Sequence, residues 1–169
     1  MSTHTGAFGV VFDRLAHEVF EQLHGVPERL LCWTPSLTEG ASLFTLAIQI
    51  LEEGERSIFK GLEGKATHPT DSPRFETLAE LLTRYELWLA RVHEVVNQVP
   101  DAALDHIIMG PHHVQVPITE EEIAIADCLL ITLGRLWSLV DEIQFLHGFL
   151  AEKNQISKHK LIGQSSKLD

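Results

Sequence analysis

Cysteine, basic charge and long apolar runs are all scarce in this sequence, and each scarcity excludes something. Two cysteines, Cys32 and Cys128, stand far apart among apolar neighbours. A disulfide framework needs more thiols than that, so both are expected as free, inert thiols in a reducing cytoplasm. Lys and Arg number 13 against 24 Asp and Glu, for a net charge of −11. Phosphate recognition needs clustered Lys and Arg, so nucleic acid and anionic membrane surfaces are excluded as partners. No apolar stretch approaches the roughly 20 residues that a membrane-spanning helix needs. Residues Met1 to Gly9 show no basic region leading into an apolar core, so no signal peptide is expected. A glycine-rich phosphate loop, a G-x-S-x-G elbow and a Cys–His pair of usable geometry are also missing.

What the sequence does contain is amphipathic helix. The chain has 169 residues, 44% hydrophobic and 22% charged, which suits one globular domain with a full core. Apolar residues recur with helical period over four segments. The first is about 8–24, with Phe8, Val11, Phe12, Leu15, Val19, Phe20 and Leu23 on one side and Gly25 and Pro27 ending it. The second is about 41–61, carrying Leu43, Leu46, Ala47, Ile50, Leu51, Gly54 and Ile58. Its start is open between a capping box at Ser36 and Glu39 and a later cap at Ser42. The third is about 73–98, with Ser72 as cap, Pro73 at the first helical position and a stripe from Phe75 through Leu78, Leu82, Tyr85, Leu89, Val92 and Val96. Trp88 falls off that stripe, which points it toward an interface. The fourth runs from about 119 to 153, opened by a capping box at Thr119 and Glu122. It is apolar nearly all round between Ile123 and Val140, so it is expected to be the most buried element, with Asp127 and Arg135 in need of partners.

The connection Val99 to Pro117 is long for a helix–helix turn, and long connections are often functional. Its segment His113 to Pro117 alternates polar and apolar and is expected to be extended. No convincing strand pair is visible elsewhere. The expected organisation is one all-α domain over 1–153, a four-helix bundle, followed by a polar, fraying tail over 154–169.

Three stretches resemble the DinB-like superfamily of four-helix bundles. Leu31-Cys32-Trp33-Thr34-Pro35 resembles the W-x-P turn between that family's first two helices. Ile50-Leu51-Glu52-Glu53-Gly54-Glu55-Arg56 resembles its H-L-x-x-x-E-R segment on helix two. Glu142-Ile143-Gln144-Phe145-Leu146 resembles its Q-I-Q-x-L stretch on helix four. The resemblance implies three histidines around a divalent metal, one on helix two and two a turn apart on helix four. Here those positions hold Ile50, Arg135 and Leu139, and no histidine lies between residues 114 and 146. Ile and Leu have no donor atoms and Arg is cationic, so the resemblance supports the fold and argues against its metal.

The site left by that metal is the first candidate. Arg135, with Ser138, Leu139 and Glu142 near it and Gln49, Ile50 and Glu53 across the groove, would grip a small anionic ligand or a protein partner. The plainer reading makes Arg135 half of a buried ion pair that cross-links the helices. The second candidate is the long connection, where His106, His112 and His113 would supply a displaced site for nickel or zinc. Solvated loop histidines are the plainer reading there. His17, His24, His93 and His147 read as ordinary helix histidines, and Trp33 as an anchor for its turn. Two functions follow from different classes. One is a binding protein without cofactor, working on a small molecule or on itself as a homodimer through helices one and two. The other is a metal-dependent enzyme of the thiol-transferase or hydrolase kind with a rearranged site.

Overall fold

The computed structural model describes residues 4–35, 40–60, 62, 77–109 and 122–165, with backbone alone described at Lys60, at Met109 and beyond Lys153. Expectations resting on Ser36, Glu39, Ser72, Pro73, Phe75, His112, the segment His113 to Pro117 and Thr119 lie outside the described residues.

The fold is all-α. Its helices are α1 (His4–Leu23), α2 (Glu28–Leu31), α3 (Leu43–Glu55), α4 (Leu78–Gln98) and α5 (Ile125–Ser165). A π-helical turn continues α3 over Arg56–Lys60, and a 3-10 turn follows α4 over Asp101–Ala103. α1, α3, α4 and α5 are the four predicted segments. α3 packs chiefly on α5, α1 packs on α4 and α5, and α3 makes a smaller contact with α4.

The helix ends show why these segments stop and start where they do. Ser42 caps α3, its side chain accepting from Thr45 N at 3.1 Å, which settles the choice of start in favour of the later cap. α4 begins later than expected. Thr77 and Glu80 form a reciprocal capping box, Thr77 Oγ1 accepting from Glu80 N at 3.2 Å and Thr77 N donating to Glu80 at 3.3 Å. α1 ends at Gly25, whose φ of 73° is the left-handed conformation that glycine adopts without steric cost. Its start is capped from far along the chain. Asp101 accepts from His4 N, Thr5 N and Thr5 Oγ1, each at 3.0 Å. A carboxylate at a helix N-terminus satisfies orphan N–H groups and complements the helix dipole.

α5 corrects two expectations. Residues Glu122–Ala124 form a strand (β2) that pairs antiparallel with Ile107–Met109 (β1), in the register Ile107 with Ala124 and Met109 with Glu122. The helix therefore starts at Ile125. Its first N–H groups need no side-chain cap, because Ile125 N donates to His106 O and Ala126 N to Leu104 O. The helix extends to Ser165.

The core is continuous across α1, α3, α4 and α5. The α4 face is rotated from the predicted stripe: Leu81, Tyr85, Trp88, Val92, Val95 and Val96 are buried. Trp88 is central, not interfacial. It meets Phe12 edge-on at 6.0 Å and Tyr85 at 5.9 Å, and Tyr85 meets Phe20 at 5.6 Å, a chain of T-shaped contacts that favours opposed ring edge and face. Tyr85 Oη donates to Ala47 O at 2.7 Å, tying α4 to α3 inside the core. Trp88 Nε1 is buried without a partner among the described residues. Gly54 is what admits this indole, since a Cβ there would lie 2.6 Å from Trp88 Cζ2. Arg84 and Glu55 pair at the edge of the same α3–α4 contact. On the α1–α4 side, His93 Nε2 lies 2.7 Å from Asp13 Oδ1, with the imidazole against Gly9.

Candidate functional site

α3 and α5 form the contact on which the candidate site was placed. Its residues separate into two groups. Ile50 and Leu139 are buried in the core. Gln49 and Glu53 are half-buried and engage each other, Gln49 Nε2 donating to Glu53 Oε1 at 3.2 Å, the one-turn spacing that lets two side chains meet. Arg135, Ser138 and Glu142 are exposed. Ser138 Oγ donates to Gly134 O at 3.1 Å.

Arg135 thus departs from the buried ion pair expected of it. Among the described residues it makes no ion pair, and Asp127 is exposed as well. The reason is the orientation of α5. Its inward face carries Leu129, Leu136, Val140 and Ile143, while Leu130 is exposed and Ile131, one turn before Arg135, is exposed with it. An apolar run does not say which apolar residues face inward.

A groove of about 390 Å³ opens where α5 passes the segment leading into α3. Pro35, Ala41, Leu46 and Leu146 give it an apolar lining, Asp141 and Glu142 add two carboxylates, and Phe145 lies at the same site, 79% exposed. Of the predicted site residues only Glu142 lines it. The missed residues had a sequence signal: Pro35 belongs to the Trp-Thr-Pro turn, and Leu46 lies one helical turn before Ile50. The turn itself is anchored on α5. Trp33 stacks on Phe149 with centroids 5.9 Å apart, and Lys153 Nζ lies 4.7 Å and 4.9 Å from the two ring centres.

The histidine candidates do not converge. His106 is exposed at the start of the strand pair, where its carbonyl receives Ile125 N. His24 and His147 line a smaller cavity of about 150 Å³ at the end of α1, among apolar residues. Among the described residues no group of three or more His, Cys, Asp or Glu side chains gathers as a metal ion would require. None of the described helices is long and apolar enough to cross a membrane.

Fold and groove together define an all-α protein with an acidic-edged apolar cleft between two long helices. No protein-family model matches the chain, and no curated protein matches it significantly.

Proposed function

We propose that this chain is a DinB-like four-helix bundle that has dispensed with the metal and uses the groove between α3 and α5 as a non-catalytic binding site for a small amphipathic molecule. The carrying observation is the lining of the groove: apolar walls from Pro35, Ala41, Leu46 and Leu146, with the carboxylates of Asp141 and Glu142 beside them. Such a site buries an apolar body and attracts a cationic head. The preference runs opposite to the anionic ligand that Arg135 suggests from sequence. Arg135 lies two helical turns from Glu142 and lines no part of the groove. A net charge of −11 adds a field that draws cations toward the molecule. Cys32 and Cys128 as free thiols suit work in a reducing cytoplasm.

Octylammonium and octanoate share a tail and differ in head charge, so they separate the readings. Octylammonium is expected to raise the Tm, with the shift removed in an Asp141→Asn, Glu142→Gln double variant. A shift with octanoate alone would restore the anionic reading, and no shift with either would overturn the groove as a site for such ligands. Elemental analysis of protein purified without a histidine tag decides the enzyme alternative. One equivalent of nickel or zinc per chain would overturn the metal-free reading.

A further inference from the structure

The end of α1 borders a second cavity, which shares no lining residue with the groove. Gly25, at a φ of 73°, turns the chain out of α1 and into α2. The turn is held by its own backbone: Val26 N donates to Leu23 O at 3.3 Å and Leu30 N to Pro27 O at 2.7 Å. Across from it α5 presents His147, Leu150 and Ala151, which share one helix face because they stand three and four residues apart. The space between is about 150 Å³. Val26, Pro27, Leu30 and Leu150 give it hydrocarbon walls, and the imidazoles of His24 and His147 are the only polar side chains that line it. His147 is half-buried and His24 exposed. Neither imidazole has a hydrogen-bond or ion-pair partner among the described residues.

We infer that this cleft binds a phenol, its ring against the hydrocarbon walls and its hydroxyl between the two imidazoles. A neutral imidazole carries one N–H donor and one bare nitrogen that accepts. A hydroxyl donates to one such ring while it accepts from the other, a match that a group able only to donate or only to accept does not make. The size agrees, because a cavity of roughly 150 Å³ takes up one six-membered ring. Charge and donor count disfavour the other classes. An anion approaches against a net charge of −11. A cation finds no carboxylate among the lining residues. A metal ion finds two imidazoles where three or more protein ligands are the rule.

Phenol titrated into the full chain tests the site, read by the imidazole proton resonances in mildly alkaline buffer, where free imidazole is uncharged. The resonances of His24 and His147, assigned by their loss in His24→Gln and His147→Gln, should shift saturably, with half-saturation at about 1 mM for so small a ligand. Benzene keeps the ring and lacks the hydroxyl, and should bind roughly tenfold more weakly. His147→Leu should weaken phenol by a similar factor and leave benzene bound. Ala151→Trp, which sets an indole into the cleft and keeps both imidazoles, should exclude both ligands. The Asp141→Asn, Glu142→Gln variant is altered only in the groove and should bind phenol as the wild type does, so the two sites fail or stand separately. Equal affinity for phenol and benzene overturns the inference, as does tighter binding of benzoate than of phenol. So does the absence of saturable shifts at His24 and His147, phenol binding that survives Ala151→Trp, or its loss in the groove variant.

Discussion

Gly54 and Trp88 show at the scale of single residues how a position read as part of an apolar stripe holds the core open. The Trp88 indole lies so close to the α3 backbone that a Cβ at residue 54 would stand 2.6 Å from Cζ2. The ring is wedged among Phe12 and Tyr85 and cannot swing away. Gly54→Ala should therefore destabilise the protein by about 1–3 kcal/mol through overpacking, despite the better helix propensity of alanine. Trp88→Phe removes the colliding atoms and also the buried, unpartnered Nε1. Urea denaturation of the two single variants and the double is expected to give a non-additive cycle, with alanine tolerated once the indole is gone. Additive costs would mean that Gly54 and Trp88 do not collide. Tyr85 gives a second residue-scale test, because it is the single tyrosine of the chain. Burial holds its phenol protonated well above the ordinary value of 10.0. Its folded pKa is the higher one, so this contribution to stability is complete below about pH 10 and is lost as the pH rises through the folded value. Absorbance at the tyrosinate band should stay flat past the ordinary titration range and then rise together with unfolding. A smooth titration near the ordinary value in folded protein would contradict the buried Tyr85–Ala47 contact.

At the scale of elements, the sequence announced the four long helices by period and misplaced several of their ends. The third was expected from Pro73, and a second T-x-x-E pattern at Thr77 and Glu80 supplies the actual cap of α4. The same pattern at Thr119 and Glu122 was read as the start of the fourth helix, whereas Glu122 lies in β2. Local capping chemistry cannot reveal that Ile107–Met109 offers an antiparallel partner, since the pairing is long-range. The cap of α1 is equally non-local. Asp101, 97 residues from His4 and in a 3-10 turn, accepts both leading N–H groups of the helix. Those hydrogen bonds lower its pKa below 3.8, first through Thr5 and then through His4. The folded value is depressed, so the contribution is complete above about pH 3.8 and is lost as the pH falls through the folded value. Wild-type Tm should therefore decline more steeply below pH 3.8 than that of Asp101→Asn, which carries no charge to lose. Parallel profiles would show that the carboxylate does not hold the α1 terminus. The candidate site follows the same logic. Ile50 was legible as buried from its place on the apolar stripe of the second segment, whereas Ile50 and Leu139, expected among the residues that hold a ligand, lie in the core and line no part of the groove. The exposure of Arg135 was not legible, since it depends on the rotation of α5 against α1 and α3.

Across the whole molecule, the joint burial of α1, α3, α4 and α5 can be read from two thiols that share no site. Cys32 follows α2 and is exposed, while Cys128 sits in the first turn of α5 and is buried. Burial raises the Cys128 pKa, outweighing the lowering effect of Thr132, so its thiolate is suppressed as well as inaccessible. Alkylation with iodoacetamide in native buffer should modify Cys32 quickly and leave Cys128 intact. Adding urea below the unfolding midpoint should bring Cys128 labelling up in step with the globally unfolded fraction, because reaching this thiol requires α5 to part from the core. The outcome discriminates between two molecules. If α5 is packed as a cooperative part of one domain, the Cys128 rate follows global stability, and Gly54→Ala, a distant change, accelerates it by the same free energy that it removes from folding. If the N-terminal turns of α5 open on their own beside the short β1–β2 pair, Cys128 reacts at a rate that Gly54→Ala leaves unchanged, and the single cooperative core gives way.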